Sequence, residues 1–230
     1  MKRNLRIAVV GAGGRLGQAA CTAIEAQRDL ELVLRLGSGD DWALRVRELR
    51  VDVCLEATRA GLGLAHGLAL LEAGAQVVIA TSGVSAEDER ALDLRARQLG
   101  RGGLIVPNFS LASMFLMRIS AQLAAHYPAA EIIELHHERK ADAPSGTALE
   151  TARRMEAARG PESPKVPTHS VRLPGLYAHQ EVLFGAPGEL LSLRHDLFTT
   201  DAFVPGILAA LRYAADARGI QRGIEHAFKL

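Results

Sequence analysis

A cluster of titratable residues stands near the middle of the chain, at Glu134, His136, His137 and Lys140. Histidine and lysine side chains can donate protons near neutral pH, so this cluster offers general acids. The surrounding apolar residues predict a strand over residues 130–139, which would turn alternate side chains to one face. That face would carry Glu134, His136, Glu138 and, if the strand continues, Lys140, with His137 on the other face.

The residues after this cluster predict a helix start that binds an anion. In the string APSGTA, residues 143–148, Ser145 can cap a helix. The backbone amides around Gly146 and Thr147 can then bind a carboxylate. Proton donors facing such a cradle predict a site for a small acidic substrate.

Simpler interpretations of the same residues stay open. Adjacent histidines on an edge strand can be structural or exposed, and a lysine in a loop is usually solvated. Only two histidines cluster and no cysteine is near, so the spacing predicts no zinc or other metal site. Ser145 lacks the GxSxG context of hydrolases, which argues against a serine nucleophile.

A glycine-rich turn, GAGGRLG at residues 11–17, separates the first apolar run from a segment with helical spacing. Backbone amides and the helix dipole in such a turn can hold a pyrophosphate, so we predict dinucleotide binding there. The glycines fall at 11, 14 and 17, and Leu16 stands where the GxGxxG pattern needs glycine. The alternative is a tight turn that binds nothing.

The end of the second predicted strand bears on the choice of nicotinamide cofactor. An NAD site usually has Asp or Glu there, but this sequence has Arg35, Gly37 and Ser38, with Asp40 arriving later. Arginine can pair with a 2′-phosphate through two hydrogen bonds, so we predict NADPH. NADH stays open if Arg35 is only solvated and Asp40 reaches the ribose.

Short apolar runs alternate with segments of helical spacing in the first half of the chain. Predicted strands cover residues 5–10, 31–36, 51–57, 76–81 and 103–109, and predicted helices cover residues 16–27, 40–49, 61–74 and 85–100. Parallel strands need long, right-handed connections, so this alternation predicts an α/β fold with a doubly wound parallel sheet.

The alternation of short strands with helices stops after Asn108, which predicts a second unit. The expected elements are a helix over 111–127, the strand over 130–139, a helix over 145–159 and a loop over 160–170. Three strands joined by Pro-Gly turns are expected within residues 170–197, in antiparallel pairing. A closing helix over 201–218 would have Asp201 as its N-cap and Pro205 near its first turn.

Composition excludes several classes of protein. The 230 residues carry 27 Lys and Arg against 26 Asp and Glu, which argues against a basic nucleic-acid-binding surface. Two cysteines, Cys21 and Cys54, cannot form a disulfide framework, and no apolar run approaches the length of a membrane span. No signal peptide precedes the first apolar run, so we expect a cytoplasmic protein.

Four strings together resemble the dihydrodipicolinate reductase family, also called 4-hydroxy-tetrahydrodipicolinate reductase. VVGAGGRLGQ at residues 9–18 resembles the family's cofactor turn, IATSG at 79–83 its GTTG loop, VPNFS at 106–110 its AANFS segment, and ELHHERKADAPSGTA at 134–148 its active-site signature. The strings occur in the family's order. Residues 171–185 and 194–210 also resemble its C-terminal strands and closing helix.

The resemblance implies NAD(P)H-dependent reduction of a cyclic imine dicarboxylate in the diaminopimelate route to lysine. It makes His136 the proton donor and Lys140 a second donor or a cation that polarises the substrate. The implied substrate-binding residues are His137, Ser145, Gly146 and Thr147. The implied cofactor-binding residues are Gly11, Ala12, Gly13, Gly14, Arg15, Leu16, Ala80, Thr81, Ser82, Val106, Pro107, Asn108 and Phe109.

The resemblance also implies a homotetramer of two-domain chains. Residues 1–110 and 201–230 would form a Rossmann-type dinucleotide-binding domain. Residues 111–200 would form a substrate-binding and oligomerisation domain, of α+β class with a mixed sheet.

The sequence departs from the family's pattern at several positions. Ala80 replaces the first glycine of GTTG, Pro107 replaces an alanine of AANF, and TTD at 199–201 replaces a common SRE, which removes an arginine. EATRAG at 56–61 stands where DFTRPE is typical. Two other functions therefore stay open: reduction of another small cyclic imine or amino acid, and dinucleotide binding without catalysis.

Overall fold

The computed structural model describes residues 3–37 and 39–228, which form ten strands and seven α-helices. The strands are β1 (Leu5–Val10), β2 (Leu30–Leu36), β3 (Val53–Glu56), β4 (Gln76–Ile79), β5 (Gly102–Ile105), β6 (Ala129–His136), β7 (Thr168–Arg172), β8 (Ala178–Ala186), β9 (Glu189–Leu197) and β10 (Gly219–Arg222). The helices are α1 (Arg15–Glu25), α2 (Trp42–Glu48), α3 (Gly63–Glu72), α4 (Ala86–Gln98), α5 (Leu111–Ala124), α6 (Gly146–Arg159) and α7 (Val204–Ala214).

The chain divides into two compact units. The first unit ends at Phe109 and resumes at Phe203, and the second runs from Ser110 to Ala202. Within the part of the chain that the structure describes, no helix has the length and apolarity needed to cross a membrane.

The first unit is built on a parallel sheet with the strand order β10-β5-β4-β3-β1-β2. Every residue of β3, β4 and β5 is buried, as expected of strands covered on both faces. Helices α1 and α7 contact each other, while α2, α3 and α4 pack in succession as a second group. The predicted doubly wound α/β fold is confirmed.

The second unit is a mixed sheet with the strand order β7-β6-β8-β9, packed against α5 and α6. Its core contains Ile132, Val182 and Phe184 from the sheet, with Ala148 and Met155 from α6. Alternate residues of each strand face these helices because side chains in a strand have a period of two. The predicted mixed sheet with helices is confirmed.

The pairing of β7 differs from the prediction. The antiparallel pairing of β8 with β9 is correct, but β7 begins inside the predicted loop and pairs in parallel with β6. Strand β6 therefore lies between β7 and β8. Residues 173–177 can make this connection, because crossing two strand spacings needs only about 10 Å.

Strand β6 is also shorter than predicted, since it ends at His136. Glu138 and Lys140 therefore do not lie on the strand face with Glu134. They lie in a turn in which the backbone N–H of Lys140 donates to the carbonyl oxygen of His137 at 3.1 Å.

The prediction of Asp201 as a helix N-cap is wrong. Helix α7 begins at Val204 with Phe203 in the N-cap position, and Asp201 lies in a preceding 3-10 helix. Proline is tolerated only in the first turn of a helix, so Pro205 fixes the start directly before it. Strand β10 was not predicted, because its sequence GIQR has a single apolar side chain, Ile220, and lacks the apolar run that marks β3 and β4.

Candidate active site

The glycine-rich turn joins β1 to α1 and is packed tightly at two of its glycines. Gly11 has a φ of +84°, and a Cβ there would lie under 3.0 Å from the carbonyl oxygen of Ala57. A Cβ on Gly17 would lie equally close to the carbonyl oxygen of Gly11. Among the residues that the structure describes, none has an atom within 4 Å of a Cβ built on Gly13. The fold therefore requires Gly11 and Gly17, whereas Gly13 borders open space that a ligand can fill.

The other predicted cofactor residues follow neighbouring strands of the same sheet. Residues 80–82 come after β4 and residues 106–109 after β5. Parallel strands carry their carboxyl ends to one edge, so these segments share that edge with the glycine-rich turn. Thr81, Val106 and Phe109 are buried, Ala12, Leu16, Ala80 and Asn108 are half-buried, and Gly14, Arg15, Ser82 and Pro107 are exposed.

A buried carboxyl group to which the sequence analysis gave no role lies at the end of β3. Glu56 has no exposed surface, and its Oε1 accepts hydrogen bonds from Thr58 N at 3.2 Å, from the Thr58 hydroxyl, and from His66 Nδ1 at 3.0 Å. Thr58 N also donates to the hydroxyl of Thr81 at 3.1 Å. The cluster thus fixes the segment that follows β3 against the segment that follows β4. Its only sequence signal was the likeness of residues 56–61 to the family's DFTRPE string.

The residues predicted to face the adenosine ribose are engaged with protein groups. Nη2 of Arg35 lies 2.6 Å from Oε1 of Glu25, and both side chains are about half exposed. The carboxylate of Asp40 accepts a hydrogen bond from the N–H of Gly37 at 2.7 Å. Ser38 lies outside the described residues. An exposed ion pair of this kind is weak, so the Arg35 guanidinium can exchange Glu25 for another anion.

In the second unit, Glu134 and His136 lie on one face of β6, as predicted. Glu134 has no exposed surface, and its Oε2 forms a hydrogen bond with Nδ1 of His136. An ionised carboxylate can only accept, so Nδ1 carries the hydrogen. Oε1 of Glu134 accepts from the N–H of Ser145 at 3.3 Å. One buried carboxylate therefore contacts both the predicted proton donor and the residue that caps α6.

Arg172 on β7 is a member of this cluster that the sequence analysis missed. Its Nη1 and Nη2 atoms donate to Oε2 and Oε1 of Glu134 at 2.9 and 2.7 Å. Nη2 also donates to the carbonyl oxygen of Asp142 at 2.7 Å. The parallel pairing of β7 with β6 puts Arg172 opposite His136, and that pairing was not predicted.

Burial and neighbouring charges act on the pKa values of this cluster. Burial alone would raise the pKa of the Glu134 carboxyl, but hydrogen bonds from Arg172, Ser170 and His136 hold that pKa below its ordinary value. Burial lowers the pKa of His136, and the opposing effect of Glu134 does not cancel it. Glu134 is therefore ionised at neutral pH, and the His136 imidazolium is a stronger acid than an ordinary histidine.

The segment after β6 carries the other two predicted site residues. Nζ of Lys140 lies 2.7 and 2.8 Å from the carboxylate oxygens of Asp142, and this hydrogen bonding lowers the pKa of Asp142. Nδ1 of His137 is buried and, among the described residues, has no hydrogen-bond partner. Buried polar atoms are normally paired, so this nitrogen has capacity for a ligand.

The start of α6 has the features of an anion site. Oγ of Ser145 accepts a hydrogen bond from Ala148 N at 3.2 Å, which makes Ser145 the N-cap. The first turn contains no acidic residue, and no atom of the described residues lies within 4 Å of a Cβ built on Gly146. Thr147 follows it and is half-buried. The helix start is therefore open to an anion next to the Glu134 cluster.

Two further observations concern cofactors. Within residues 3–37 and 39–228, no group of three His, Cys, Asp or Glu residues is placed to hold a metal ion. The carboxyl edge of the first sheet, with its open space at Gly13 and a helix start without acidic residues, fits a dinucleotide phosphate.

Comparison with known proteins assigns both units to one family. Residues 5–109 match the family model "Dihydrodipicolinate reductase, N-terminus", and residues 112–226 match "Dihydrodipicolinate reductase, C-terminus". A 4-hydroxy-tetrahydrodipicolinate reductase from Beutenbergia cavernae is 40% identical, with 96% of this chain and 98% of the relative covered. One from Streptomyces coelicolor is 39% identical, with 97% of each chain covered.

A solved structure gives the same result for the fold. The dipicolinate-bound dihydrodipicolinate reductase from Paenisporosarcina sp. TG-14 has a TM-score of 0.84 to this chain at 28% identity, over 96% of this chain and 98% of that one. The resemblance found in the sequence is therefore confirmed along the whole chain. The chain belongs to the dihydrodipicolinate reductase family, whose members are NAD(P)H-dependent oxidoreductases.

Proposed function

We propose that this chain reduces 4-hydroxy-tetrahydrodipicolinate to tetrahydrodipicolinate in the diaminopimelate route to lysine. The observation that carries the proposal is the contact of Glu134 with both His136 and the start of α6, in a chain whose two halves match the reductase family. When bound, the reduced nicotinamide supplies a hydride. The side chains described below bind the substrate and move its proton.

His136 is the proposed proton donor. Its Nδ1–H donates a hydrogen bond to Glu134, so Nε2 is the nitrogen that can pass a proton to the substrate. Lys140 is the proposed second donor or polarising cation. The carboxylate of Asp142 holds Nζ of Lys140 in place at 2.7 Å, and a substrate carboxylate can replace that carboxylate.

The substrate carboxylate is proposed to bind at the start of α6. The dipole of a helix favours negative charge at its start, where backbone N–H groups point along the axis, which suits Gly146 and Thr147 to this role. Ser145 is proposed to act by fixing the helix start, because it is buried and its hydroxyl bonds to Ala148 N. His137 is proposed to contact the substrate through its buried Nδ1, which has no hydrogen-bond partner in the described part of the chain.

NADPH is the proposed cofactor, and the first unit is proposed as its domain. Gly11 to Leu16 would hold the pyrophosphate, residues 80–82 and 106–109 would hold the nicotinamide half, and Arg35 would hold the 2′-phosphate. Asp40 argues for this choice over NADH, since its carboxylate is bonded to Gly37 N rather than left to accept from a ribose.

The second unit is proposed to bind substrate and to assemble a homotetramer. Ile133, Leu135 and Leu183 alternate with residues that pack on the helices, so they lie on the opposite face of the sheet. Leu190 belongs to the same face and is 68% exposed. An apolar sheet face of this kind is suited to another copy of the chain. We propose a cytoplasmic location, where Cys21 and Cys54 stay reduced.

A coupled assay tests the reaction. Dihydrodipicolinate synthase would make the substrate in place, and the oxidation of NADPH would be followed by absorbance. We expect turnover in the wild type and a loss of about 100-fold or more in His136→Ala and Lys140→Ala. His126→Ala, an exposed histidine of the second unit, is the control and should keep wild-type turnover. Binding of NADPH without any oxidation would contradict the proposal and favour a non-catalytic role.

A further inference from the structure

We propose that Glu134 and Arg172 are positioning residues for catalysis, with Glu134 holding His136 in the orientation and tautomer that a proton donor needs. Arg172 would keep Glu134 ionised. It would also hold the start of α6, where the substrate carboxylate is proposed to bind, next to Glu134. The inference rests on the proposed role of His136. It assigns functions to two residues that never need to touch the substrate.

The geometry of the His136 imidazole determines which of its nitrogens can give up a proton. A histidine ring has two nitrogens, and the hydrogen bond made by one decides which of them can exchange a proton. Nδ1 of His136 donates to Glu134, and Nε2 has no partner among the residues that the structure describes. The imidazolium can therefore lose a proton only from Nε2. Once its ring has accepted a hydride, the conjugated imine substrate is an enamine that needs a proton at carbon. The Nε2–H bond then breaks, the enamine electron pair forms the new C–H bond, and His136 is left neutral with its Nδ1–H still hydrogen-bonded to Glu134.

The charge of Glu134 depends on the groups around it. A carboxyl group with no exposed surface would hold its own proton unless cations and donors stabilised the ion. Arg172 supplies two of these donors, at 2.9 and 2.7 Å, in the forked geometry that is strongest for a carboxylate. Glu134 can then accept from His136 throughout the cycle and does not compete for the proton.

The same pair is also linked to substrate binding. Glu134 accepts from the N–H of Ser145, and Arg172 donates to the carbonyl oxygen of Asp142. These two contacts hold the segment between Lys140 and α6 at Asp142 and at Ser145. Changes to the pair should therefore alter the KM for the substrate as well as the proton transfer.

A purely structural role is the competing explanation, because a buried ion pair that loses one partner costs about 3–5 kcal/mol. Conservative variants separate the two explanations. Glu134→Gln keeps the size and an accepting oxygen but removes the charge, and Arg172→Lys keeps the charge but removes the fork. The matched control is Glu131→Gln, which alters the exposed Glu131–His169 pair that joins the same two strands.

Two measurements would be made on folded protein. The first is the dependence of kcat on pH, from about pH 5.5 to 9.5, together with the KM for substrate and the Kd for NADPH. The second is the 15N chemical shift of the His136 imidazole in histidine-labelled protein, assigned with His136→Asn. The shift reports the tautomer without any need for turnover.

The wild type should show the Nδ1–H tautomer at high pH. In Glu134→Gln, the alkaline fall of kcat should move about one unit lower and kcat at neutral pH should drop about 10-fold or more, with the NADPH Kd unchanged. In Arg172→Lys, the substrate KM should rise about 5-fold or more. Glu131→Gln should match the wild type in every respect.

The outcomes distinguish this inference from the proposed function. An active wild type whose kcat profile is unchanged in Glu134→Gln, or a wild type in which His136 is not the Nδ1–H tautomer, would overturn the inference alone. If Glu134→Gln does not fold, the Arg172→Lys variant takes its place. A wild-type KM for the substrate and a wild-type His136 tautomer in that variant would overturn the inference. An inactive wild type that shows the Nδ1–H tautomer would overturn the proposed reaction while leaving the positioning of His136 by Glu134 in place.

Discussion

Gly17, in the first turn of α1, packs directly against the carbonyl oxygen of Gly11, so that a methyl group on Gly17 would come under 3.0 Å from that oxygen. Both partners in this contact are backbone, and neither can rotate away. Gly13, in the same turn, has no atom from residues 3–37 or 39–228 within 4 Å of the position of a Cβ. One short turn thus contains glycines of two kinds, one required by packing and the other facing free space.

The contrast predicts different effects for two alanine substitutions. Gly17→Ala should lower the free energy of unfolding by about 1–3 kcal/mol, since the helix start must shift to make room. Gly13→Ala should leave stability unchanged within about 0.5 kcal/mol but raise the Kd for NADPH about 10-fold, because its methyl enters the phosphate space. Urea unfolding and fluorescence titration measure the two quantities. Equal Kd values for the wild type and Gly13→Ala would show that no phosphate binds at that position.

Arg50 should be a site where glycine stabilises the fold. Helices α2, α3 and α4 are each followed, two positions after their last residue, by a residue with positive φ, which is +95° at Gly74 and +64° at Gly100 but +47° at Arg50. A left-handed conformation costs a non-glycine residue about 1–2 kcal/mol, and the greater freedom of glycine in the unfolded chain returns part of this. Arg50→Gly should therefore raise the free energy of unfolding by about 0.5–1 kcal/mol.

The reciprocal change gives the control for that measurement. Gly100 has no atom within 4 Å of a Cβ, so Gly100→Ala introduces the conformational cost alone. It should lower the free energy of unfolding by about 1 kcal/mol. A loss of stability in Arg50→Gly would mean that the Arg50 side chain makes a larger contribution than its backbone costs.

Glu150 on α6 should make the stability of the second unit depend on pH at the acid end. Hydrogen bonds from Arg153, which outweigh the effect of burial, and from Arg154 lower the pKa of Glu150 to about 2. The folded pKa lies below the unfolded value of 4.5, so the stabilisation is complete above that pH and is lost as the pH falls towards 2. Glu150→Gln should cost about 0.5–1 kcal/mol at neutral pH and nothing near pH 2.

Chemical unfolding at a series of pH values measures this difference. Glu162→Gln removes an exposed carboxyl group from the loop after α6 and should follow the wild type throughout. A cost of Glu150→Gln that stays constant down to the lowest pH would show that the effect is not due to the charge.

Arg35 should decide the preference between the two nicotinamide cofactors. Arg35→Ser should raise the Kd for NADPH about 10-fold or more and leave the Kd for NADH within about twofold, because only NADPH carries the 2′-phosphate. Glu25→Gln should have the opposite sign for NADPH, since it frees the guanidinium from the carboxylate 2.6 Å away. Fluorescence titration of both variants with both cofactors measures these changes. Identical ratios in all three proteins would remove Arg35 from cofactor selection.

Leu190 should test the assembly of the second unit. Its side chain is 68% exposed on the sheet face opposite α5 and α6, so Leu190→Glu would place a charge in the proposed interface. We expect the mass measured by light scattering to fall below that of the tetramer. The control is Leu94→Glu, which alters a leucine that is 62% exposed on α4 of the first unit. An unchanged tetramer in Leu190→Glu would place the interface elsewhere.

Local patterns were enough to predict the alternating strands and helices of the first unit as far as β5, and to propose His136, Lys140 and Ser145 as candidates for chemistry. The period of apolar residues reports burial on one or both faces, and glycine and proline mark turns, so β1 to β5 and α1 to α4 follow from the residues themselves. The contact of His136 with Glu134 was also within reach, since residues two apart in a strand share a face. The weaker predictions came late in the chain. Asp201 is not the N-cap of α7, and β10 was not predicted.

Only the tertiary structure decided which distant residues complete the site. Arg172 reaches Glu134 because β7 pairs with β6 rather than with β8, and His66 reaches Glu56 because α3 packs beside the end of β3. Neither contact has a signal in local periodicity, since the partner of a strand depends on how the whole sheet buries its apolar surface. The sequence by itself determined which groups could donate protons and where a helix would start. The sheet order determined which buried carboxylate and which arginine hold those groups in place.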